Sequence, residues 1–202
     1  MRLTKTFALL TAMAVGSLAA TVHAADGQAK LGQPAPAFSL PDHNGRTVNL
    51  SDHAGKVVVL EWFNDECPFV QKHYQDGHMN QLAKRYADKG VVWLTINSTH
   101  SKAAADNKAV AGKWKIDRPV LADQDGTVGK AYGATNTPHL YVIDKAGHLA
   151  YVGAIDDNPS QDAADVQGAK NYVAQALDEV VAGKPVSEPQ TKAYGCTVKY
   201  KN

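Results

Sequence analysis

Two cysteines, Cys67 and Cys196, supply all the thiol chemistry of the 202-residue chain. Cys67 follows a run of β-branched and aromatic residues, Val57 to Phe63, that predicts a buried strand, and it directly precedes Pro68. Proline is common at the first position of a helix, so Cys67 is predicted to lie between a strand end and a helix start. The free backbone N–H groups and the positive dipole end there favour a thiolate, which indicates a nucleophilic sulfur.

Other interpretations of Cys67 remain open. A buried cysteine can act as a small hydrophobic side chain or as half of a structural disulfide. The carboxylates of Asp65 and Glu66 also oppose a thiolate, because nearby negative charge raises the pKa of a thiol. Lys72 and His73 offset that charge only if the helix turns them toward the sulfur.

Glu61 is a carboxylate inside the otherwise apolar strand. Burying it is costly unless it is hydrogen-bonded or protonated. One interpretation is an acid/base group with a raised pKa that carries the thiol proton, directly or through water. The other interpretation is an edge position from which the side chain points to solvent.

Cys196 lies in the C-terminal tail, far from Cys67 along the chain. It can resolve a mixed disulfide formed at Cys67, or form a stable disulfide with Cys67 that contributes up to ~4–5 kcal/mol. A third possibility is a free thiol that pairs with another molecule. We favour the Cys67–Cys196 pair, the one intramolecular disulfide that two cysteines allow.

The first residues have the pattern of a secretory signal peptide. Arg2 and Lys5 are charged, residues 7–20 are apolar, and a small-residue cleavage site ends at Ala24. Cleavage after residue 24 leaves one domain, residues 25–202, in the periplasm or secreted, where disulfides can form. A membrane anchor is the alternative, but this apolar run is shorter than the ~20 residues a span needs.

The charge balance of the predicted mature chain excludes some partner classes. Without Arg2 and Lys5, 19 basic residues face 20 acidic ones, a net charge of −1. This gives no electrostatic reason to expect nucleic acid or an anionic membrane as a partner. We expect no organic cofactor.

Eight histidines make a metal site a further alternative. Cys67 and His73, with His139 or Cys196, could bind a soft ion such as Cu(I). Scattered surface histidines are the favoured interpretation, so we predict no metal.

The surrounding patterns predict the elements that hold these residues. Around Asn44-Gly45 the alternating residues predict a hairpin, and a second buried strand is predicted at Val91–Ile96. The remaining predicted elements are the strands Leu140–Ile143 and Leu149–Val152, and helices from Pro68 to about Gly90, at Ala103–Trp114, at Thr127–Tyr132 and from Val166 to Val180. This order is typical of a three-layer α/β fold, and a tail follows from about residue 184.

The Cys67 segment resembles the active-site segment of thioredoxin-fold proteins. Cys67 matches the first, attacking cysteine of their C-x-x-C motif, and Glu61 matches the buried carboxylate that accepts and donates protons there. Val70 stands where the second cysteine of the motif would be. The resemblance implies an attacking thiol without a nearby resolving thiol, which motivates the hypothesis that a Cys67–Cys196 disulfide cycles.

Nearly the whole mature chain resembles the peroxiredoxin-like, AhpC/TSA-type redoxins. The resemblance rests on residues 32–40, 126–133 and 137–144 and on the ending Gly195-Cys196. It implies a thioredoxin-like three-layer α/β fold, with a central mixed sheet, helices on both faces and an N-terminal hairpin.

The resemblance to thioredoxin-fold proteins also implies a cis proline loop at Thr137-Pro138 that faces Cys67 and positions a partner chain. His139 follows in that loop, with a packing role or a catalytic role equally open. Typical peroxiredoxins carry a proline and a hydroxyl residue where Leu60 and Asn64 stand, so thiol–disulfide exchange ranks above peroxide reduction.

The sequence therefore predicts an exported thiol–disulfide oxidoreductase whose partners are protein or small-molecule thiols and disulfides. Cys67 attacks, Cys196 resolves, Glu61 manages the proton, and Thr137 with Pro138 binds the partner chain. A thiol peroxidase, or a non-catalytic or copper-binding thioredoxin-fold module, is the alternative.

Overall fold

The computed structural model describes residues 28–201. The predicted signal peptide, residues 1–24, lies outside the described residues. Within the described range, none of the helices combines the length and the apolar character that crossing a membrane requires.

The strands of the described chain form one central sheet and two small accessory sheets. Their bounds are β1 (Ser39–Pro41), β2 (Thr47–Asn49), β3 (Val58–Trp62), β4 (Val92–Asn97), β5 (Val120–Ala122), β6 (Asn136–Thr137), β7 (His139–Ile143), β8 (Leu149–Gly153) and β9 (Cys196–Thr197). The central sheet has the order β5-β4-β3-β7-β8, with β3 parallel to β4 and antiparallel to β7. β1 and β2 form the predicted hairpin, and β6 pairs with β9.

Helices cover both faces of the central sheet, which confirms the predicted thioredoxin-like α/β fold. Their bounds are α1 (Pro68–Gln75), α2 (His78–Ala87), α3 (Ala104–Lys113), α4 (Thr127–Tyr132) and α5 (Tyr172–Val181). Alternate residues of β3 point to opposite faces, as expected for a strand. Val59 and Phe63 pack with α1, α2 and α5, whereas Leu60 and Trp62 pack with α4 and the hairpin.

Several elements differ from the sequence prediction. The helix expected from Pro68 to about Gly90 is two helices, because Gly77 adopts a left-handed conformation with φ +74° between them. The last helix begins at Tyr172, where the Asn171 side chain accepts the Ala174 N–H at 2.7 Å. Strand β5 has no counterpart in the prediction, because three residues are too few to show a period.

The C-terminal tail folds back along β8 and then crosses to the end of the sheet where Cys67 lies. The Val152 N–H donates to the Pro189 carbonyl at 3.0 Å, and the Thr191 N–H donates to the Val152 carbonyl at 3.1 Å. Beyond β9 the Tyr200 ring lies against Gly129, where a Cβ atom would collide with it. The tail is thus part of the packed structure.

Candidate active site at Cys67 and Cys196

Cys67 is the N-cap residue of α1, and it lies in the segment that follows the end of β3. Its side chain is 1% exposed, and its Sγ donates a hydrogen bond to the Thr137 carbonyl oxygen at 2.9 Å. The predicted strand–cysteine–helix arrangement is confirmed, with Pro68 at the first helical position. The sulfur is oriented toward the loop that contains Pro138.

The Thr137-Pro138 peptide bond is cis, as predicted. Thr137 belongs to β6 and is the direct partner of Cys196 in the antiparallel β6–β9 pair. One residue therefore contacts both cysteines, through its carbonyl to Cys67 and through the strand pair to Cys196. A Cβ atom on Gly195, whose φ is +116°, would collide with the Thr137 carbonyl oxygen, so this close pairing requires glycine.

Both cysteines are free thiols in this structure. Cys196 is half-buried and packs against the hydrophobic cluster that contains Cys67. Burial, followed by the adjacent Cys67 sulfur, raises the pKa of the Cys196 thiol to about 11. Cys196 therefore stays protonated near neutral pH.

The acidic turn before Cys67 is paired with a lysine from another segment. Lys102 Nζ lies 2.9 Å from Glu66 Oε1 and 3.4 Å from Asp65 Oδ2. Its hydrogen bond with Glu66 raises the pKa of Lys102, so the lysine remains charged. The charge that offsets the two carboxylates thus comes from Lys102.

Glu61 is completely buried, so the edge interpretation of this residue is wrong. Its Oε1 accepts the Tyr74 hydroxyl at 2.7 Å. Its Oε2 accepts Trp93 Nε1 at 2.8 Å, Thr95 Oγ1 at 3.3 Å and Arg118 Nη2 at 3.3 Å. These contacts fix the carboxylate in an ion pair with Arg118, and its predicted role in carrying the thiol proton stays a prediction.

His139 lies on the other face of the sheet from Cys67. It pairs with Trp62 across β3 and β7, and directly paired residues share a face. Its Nδ1 is 3.3 Å from the Tyr141 hydroxyl, and burial lowers the pKa of His139 to about 4. These contacts favour the packing role over the catalytic one.

Lys72 and His73 belong to a second polar cluster, together with Asp156 and Tyr194, which the sequence patterns do not reveal. Lys72 Nζ donates to the Asn158 carbonyl at 2.6 Å, and His73 Nε2 is 3.8 Å from Asp156 Oδ2. The Tyr194 hydroxyl, from the tail, donates to Asp156 Oδ1. The available signals were a tyrosine two residues before Cys196, and a lysine and a histidine in the helix that follows Cys67.

The copper alternative requires several ligand side chains that meet at one point. Across residues 28–201, three or more His, Cys, Asp or Glu side chains do not come together in the arrangement that would hold a metal ion. The proposed ligand His139 is on the opposite face of the sheet from Cys67.

Comparison with known proteins places this site in a redox family. The sequence model described as the AhpC/TSA family matches residues 31–152, which run from before β1 into β8. The thiol-disulfide oxidoreductase ResA of Bacillus thuringiensis subsp. konkukian is 29% identical over 120 residues, 59% of this chain and 67% of that protein. The expectation of a thiol-based redox enzyme is thereby confirmed at the level of the family.

Two examples illustrate the solved structures that are similar to this fold. An uncharacterized conserved protein from Geobacillus kaustophilus superposes with a TM-score of 0.72 at 30% identity, covering 85% of this chain and 93% of that one. Peroxidoxin BcpB from Mycobacterium tuberculosis, with a TM-score of 0.57 at 24% identity over 77% of this chain and 98% of that one, shares the fold. Cys196 and Tyr194 lie beyond the residues that the family model matches.

Proposed function

Because the chain belongs to the AhpC/TSA family, we propose that it is an exported thiol–disulfide oxidoreductase in which Cys67 attacks and Cys196 resolves. The similarity to ResA supports the reaction class. The observation that carries the proposal is the pairing of Cys196 with Thr137, whose carbonyl accepts the Cys67 thiol. That pairing brings a distant second thiol to the attacking thiol, although residue 70 is valine.

The reaction takes two displacements at sulfur. The Cys67 thiolate attacks one sulfur of a substrate disulfide, forms a mixed disulfide and releases the first substrate thiolate. The Cys196 thiolate then attacks the Cys67 sulfur, breaks the mixed disulfide and releases the second substrate thiolate. Two electrons pass from the protein dithiol to the substrate, and the protein keeps a Cys67–Cys196 disulfide.

The raised pKa of Cys196 fits this order of events. Cys67 contributes to that rise both through its hydrogen bond and through its charge. Once Cys67 is bonded to a substrate sulfur it carries no negative charge, so the Cys196 thiol loses that opposition to ionising. The resolving thiol therefore becomes more reactive after the first displacement.

A substrate disulfide has to displace the tail to reach Cys67. Cys67 is 1% exposed, and β9 occupies the edge of β6 beside Pro138. We propose that Thr137 and Pro138 hold the partner chain after the two residues of β9 have moved away. Hydrogen bonds of this kind between extended segments are a common way to bind peptides.

Export is the part of the proposal that rests on residues 1–24 alone. The paired thiols and the similarity to oxidoreductases agree with an oxidising compartment, where a disulfide can persist. N-terminal sequencing of the mature protein tests it, with Ala25 as the expected first residue. A mature chain that begins at Met1 would remove export from the proposal.

Counting the thiols released from a small aromatic disulfide tests the two roles. We expect the wild-type protein to release two thiols per chain, Cys196→Ser to release one and keep a mixed disulfide at Cys67, and Cys67→Ser to release none at a comparable rate. Mass spectrometry under non-reducing conditions identifies the mixed disulfide. Undiminished release by Cys67→Ser would overturn the proposal, and peroxide in place of the disulfide tests the peroxidase alternative.

A further inference from the structure

Tyr194 links the tail to the helix that begins at Cys67. It lies two residues before Cys196, and its ring meets the Phe69 ring edge-on with centroids 5.9 Å apart. Lys72 Nζ is 5.1 Å from the centroid of the same ring, in a cation–π position. The contact therefore joins the segment that carries one thiol to the helix that positions the other.

The residues of α1 that meet Tyr194 share one face of the helix. Lys72 and His73 lie three and four positions after Phe69, the spacing at which helical side chains are neighbours. Because Cys67 is the N-cap of the same helix, this face keeps a fixed relation to the Cys67 sulfur. A tail seated on it places Cys196 at a defined distance from Cys67.

The polar atoms around Tyr194 are buried. Lys72, His73 and Asp156 are each no more than 2% exposed. Asp156 Oδ1 accepts the Tyr194 hydroxyl and the Asn158 N–H, the latter at 3.1 Å. Within residues 28–201, Oδ2 has no hydrogen-bond partner and lies 3.8 Å from His73 Nε2.

The charges in this cluster strengthen the contact between the Tyr194 hydroxyl and Asp156. Burial, then the charges of Lys72 and His78, lowers the pKa of His73 to about 3, so the imidazole is neutral at physiological pH. Lys72 is then the cation that faces the Asp156 carboxylate. When the tail leaves, Asp156 loses its side-chain donor, and a buried acceptor left without a donor is unfavourable.

We propose that Tyr194 is a positioning residue that returns Cys196 to Cys67 after a substrate has displaced the tail. Its hydroxyl binds Asp156 and its ring packs on α1, so the tail recovers one position after each displacement. The inference rests on the proposed function, since it concerns the second of the two displacements. The Tyr194–Asp156 contact thereby raises the local concentration of the Cys196 thiol at Cys67.

The test separates the two displacements in time. The first aromatic thiol reports the attack of Cys67 on the reporter disulfide, and the second reports the attack of Cys196 on the mixed disulfide. For Tyr194→Phe we expect the second release to slow about tenfold, the range for losing a hydrogen bond to a charged acceptor. The first release should stay equal or become faster, because a loosely held tail uncovers Cys67 more readily.

Tyr86→Phe is the matched control. It removes a hydroxyl that donates to the Ala174 carbonyl at 2.8 Å, from a residue that is more deeply buried than Tyr194 and makes no hydrogen bond to the tail in residues 28–201. We expect Tyr86→Phe to lower the thermal midpoint and to leave the ratio of the two rates unchanged. A purely structural role for Tyr194 would give the same pattern as this control, and that result would overturn the inference.

Two further arms keep the outcomes distinct. Asp156→Asn retains an acceptor oxygen, so the second release should slow less than in Tyr194→Phe. If Tyr194→Phe does not fold, Asp156→Asn takes its place. An unchanged ratio of the two release rates in Asp156→Asn would then overturn the inference. The wild-type chain tests the proposed function itself. Release of only one thiol by the wild type would remove Cys196 as the resolving thiol, and the inference would fall with it, whereas two thiols and an unchanged ratio in Tyr194→Phe would remove the inference alone.

Discussion

Two buried carboxylates, Glu61 and Asp156, are held in different ways. Glu61 accepts hydrogen bonds from four side chains, and Arg118 supplies the compensating charge. Asp156 accepts one side-chain hydrogen bond, from Tyr194, and one backbone N–H, from Asn158. The first has hydrogen-bond donors at both oxygens, and the second depends on the tail for its one side-chain donor.

The difference lies in the elements that provide the partners. The donors to Glu61 come from α1, β4 and the segment before β5, all packed into the sheet. The donor to Asp156 comes from a tail whose strand, β9, has two residues. We infer that a fully satisfied carboxylate stabilises the core, whereas a carboxylate with a detachable donor suits a contact that forms and breaks during the reaction.

The largest effect expected is from Arg118→Met, which would leave the Glu61 charge buried without its counter-ion. Breaking a buried ion pair in this way costs about 3–5 kcal/mol of unfolding free energy. Urea denaturation followed by circular dichroism measures it. The double variant Glu61→Gln with Arg118→Met should recover part of the loss, because the uncompensated charge is then absent. A loss below about 1 kcal/mol for Arg118→Met would mean that the two clusters do not differ as described.

The next effect concerns the charge state of the Asp156 cluster. The pKa of His73 is lowered to about 3, below the ~6.5 of an unfolded histidine, so its contribution to stability is present above pH 6.5 and is lost as the pH falls toward 3. From pH 7 to 4.5 this loss amounts to about 2–3 kcal/mol of unfolding free energy. Burial raises the pKa of Asp156, so its contribution has the opposite sign: it is present below ~3.9 and is lost as the pH rises through the raised value.

His73→Asn isolates the histidine from the other titrating groups. Urea denaturation at pH 7 and pH 4.5 should show a smaller drop for this variant than for the wild type, by about 2 kcal/mol. His139→Asn serves as a comparison, since burial also lowers the pKa of that histidine, outside the Asp156 cluster. Equal drops in the wild type and in His73→Asn would mean that His73 is not kept neutral by its surroundings.

The smallest effect is expected in the charge cluster beside Cys67, where the Glu66 carboxylate is exposed to solvent. Lys102 contacts Asp65 and Glu66 beside Cys67, and the Glu66 side chain is 68% exposed. Lys102→Gln should slow alkylation of Cys67 by iodoacetamide by about two- to fivefold in low salt, because exposed pairs are worth ~0.2–1 kcal/mol. The difference should shrink as salt screens the carboxylates. A change larger than tenfold would indicate that Lys102 contacts the sulfur chemistry more directly.

Local patterns carried most of the fold and half of the candidate site. The β-branched run and the N-cap cysteine are each written in consecutive residues, so strand β3 and the start of helix α1 follow from them, whereas the cis bond at Thr137-Pro138 was implied by the family resemblance. The break at Gly77 was less visible, because the apolar spacing continues across it. Strand β5 and the strand pair β6–β9 escape such patterns, because each is too short to show a period.

The partners of the buried charged groups could not be read from the sequence. Glu61 meets Arg118 and Asp156 meets Tyr194 only after several elements have packed, and nothing near either carboxylate in sequence indicates its partner. The same holds for Lys102 and the acidic turn. In each case the pairing depends on distances between elements, which a linear pattern does not contain.

The sequence by itself determined that a thiol stands at the start of a helix, because the strand signal, the cysteine and the proline are adjacent. Only the tertiary structure decided which group lies against that thiol. Cys196 and Thr197 of the tail pair with Thr137 and Asn136, and they can do so because Gly195 has no side chain to meet the Thr137 carbonyl. Backbone pairing between distant segments depends on their three-dimensional approach, and this approach is what joins Cys67 to Cys196.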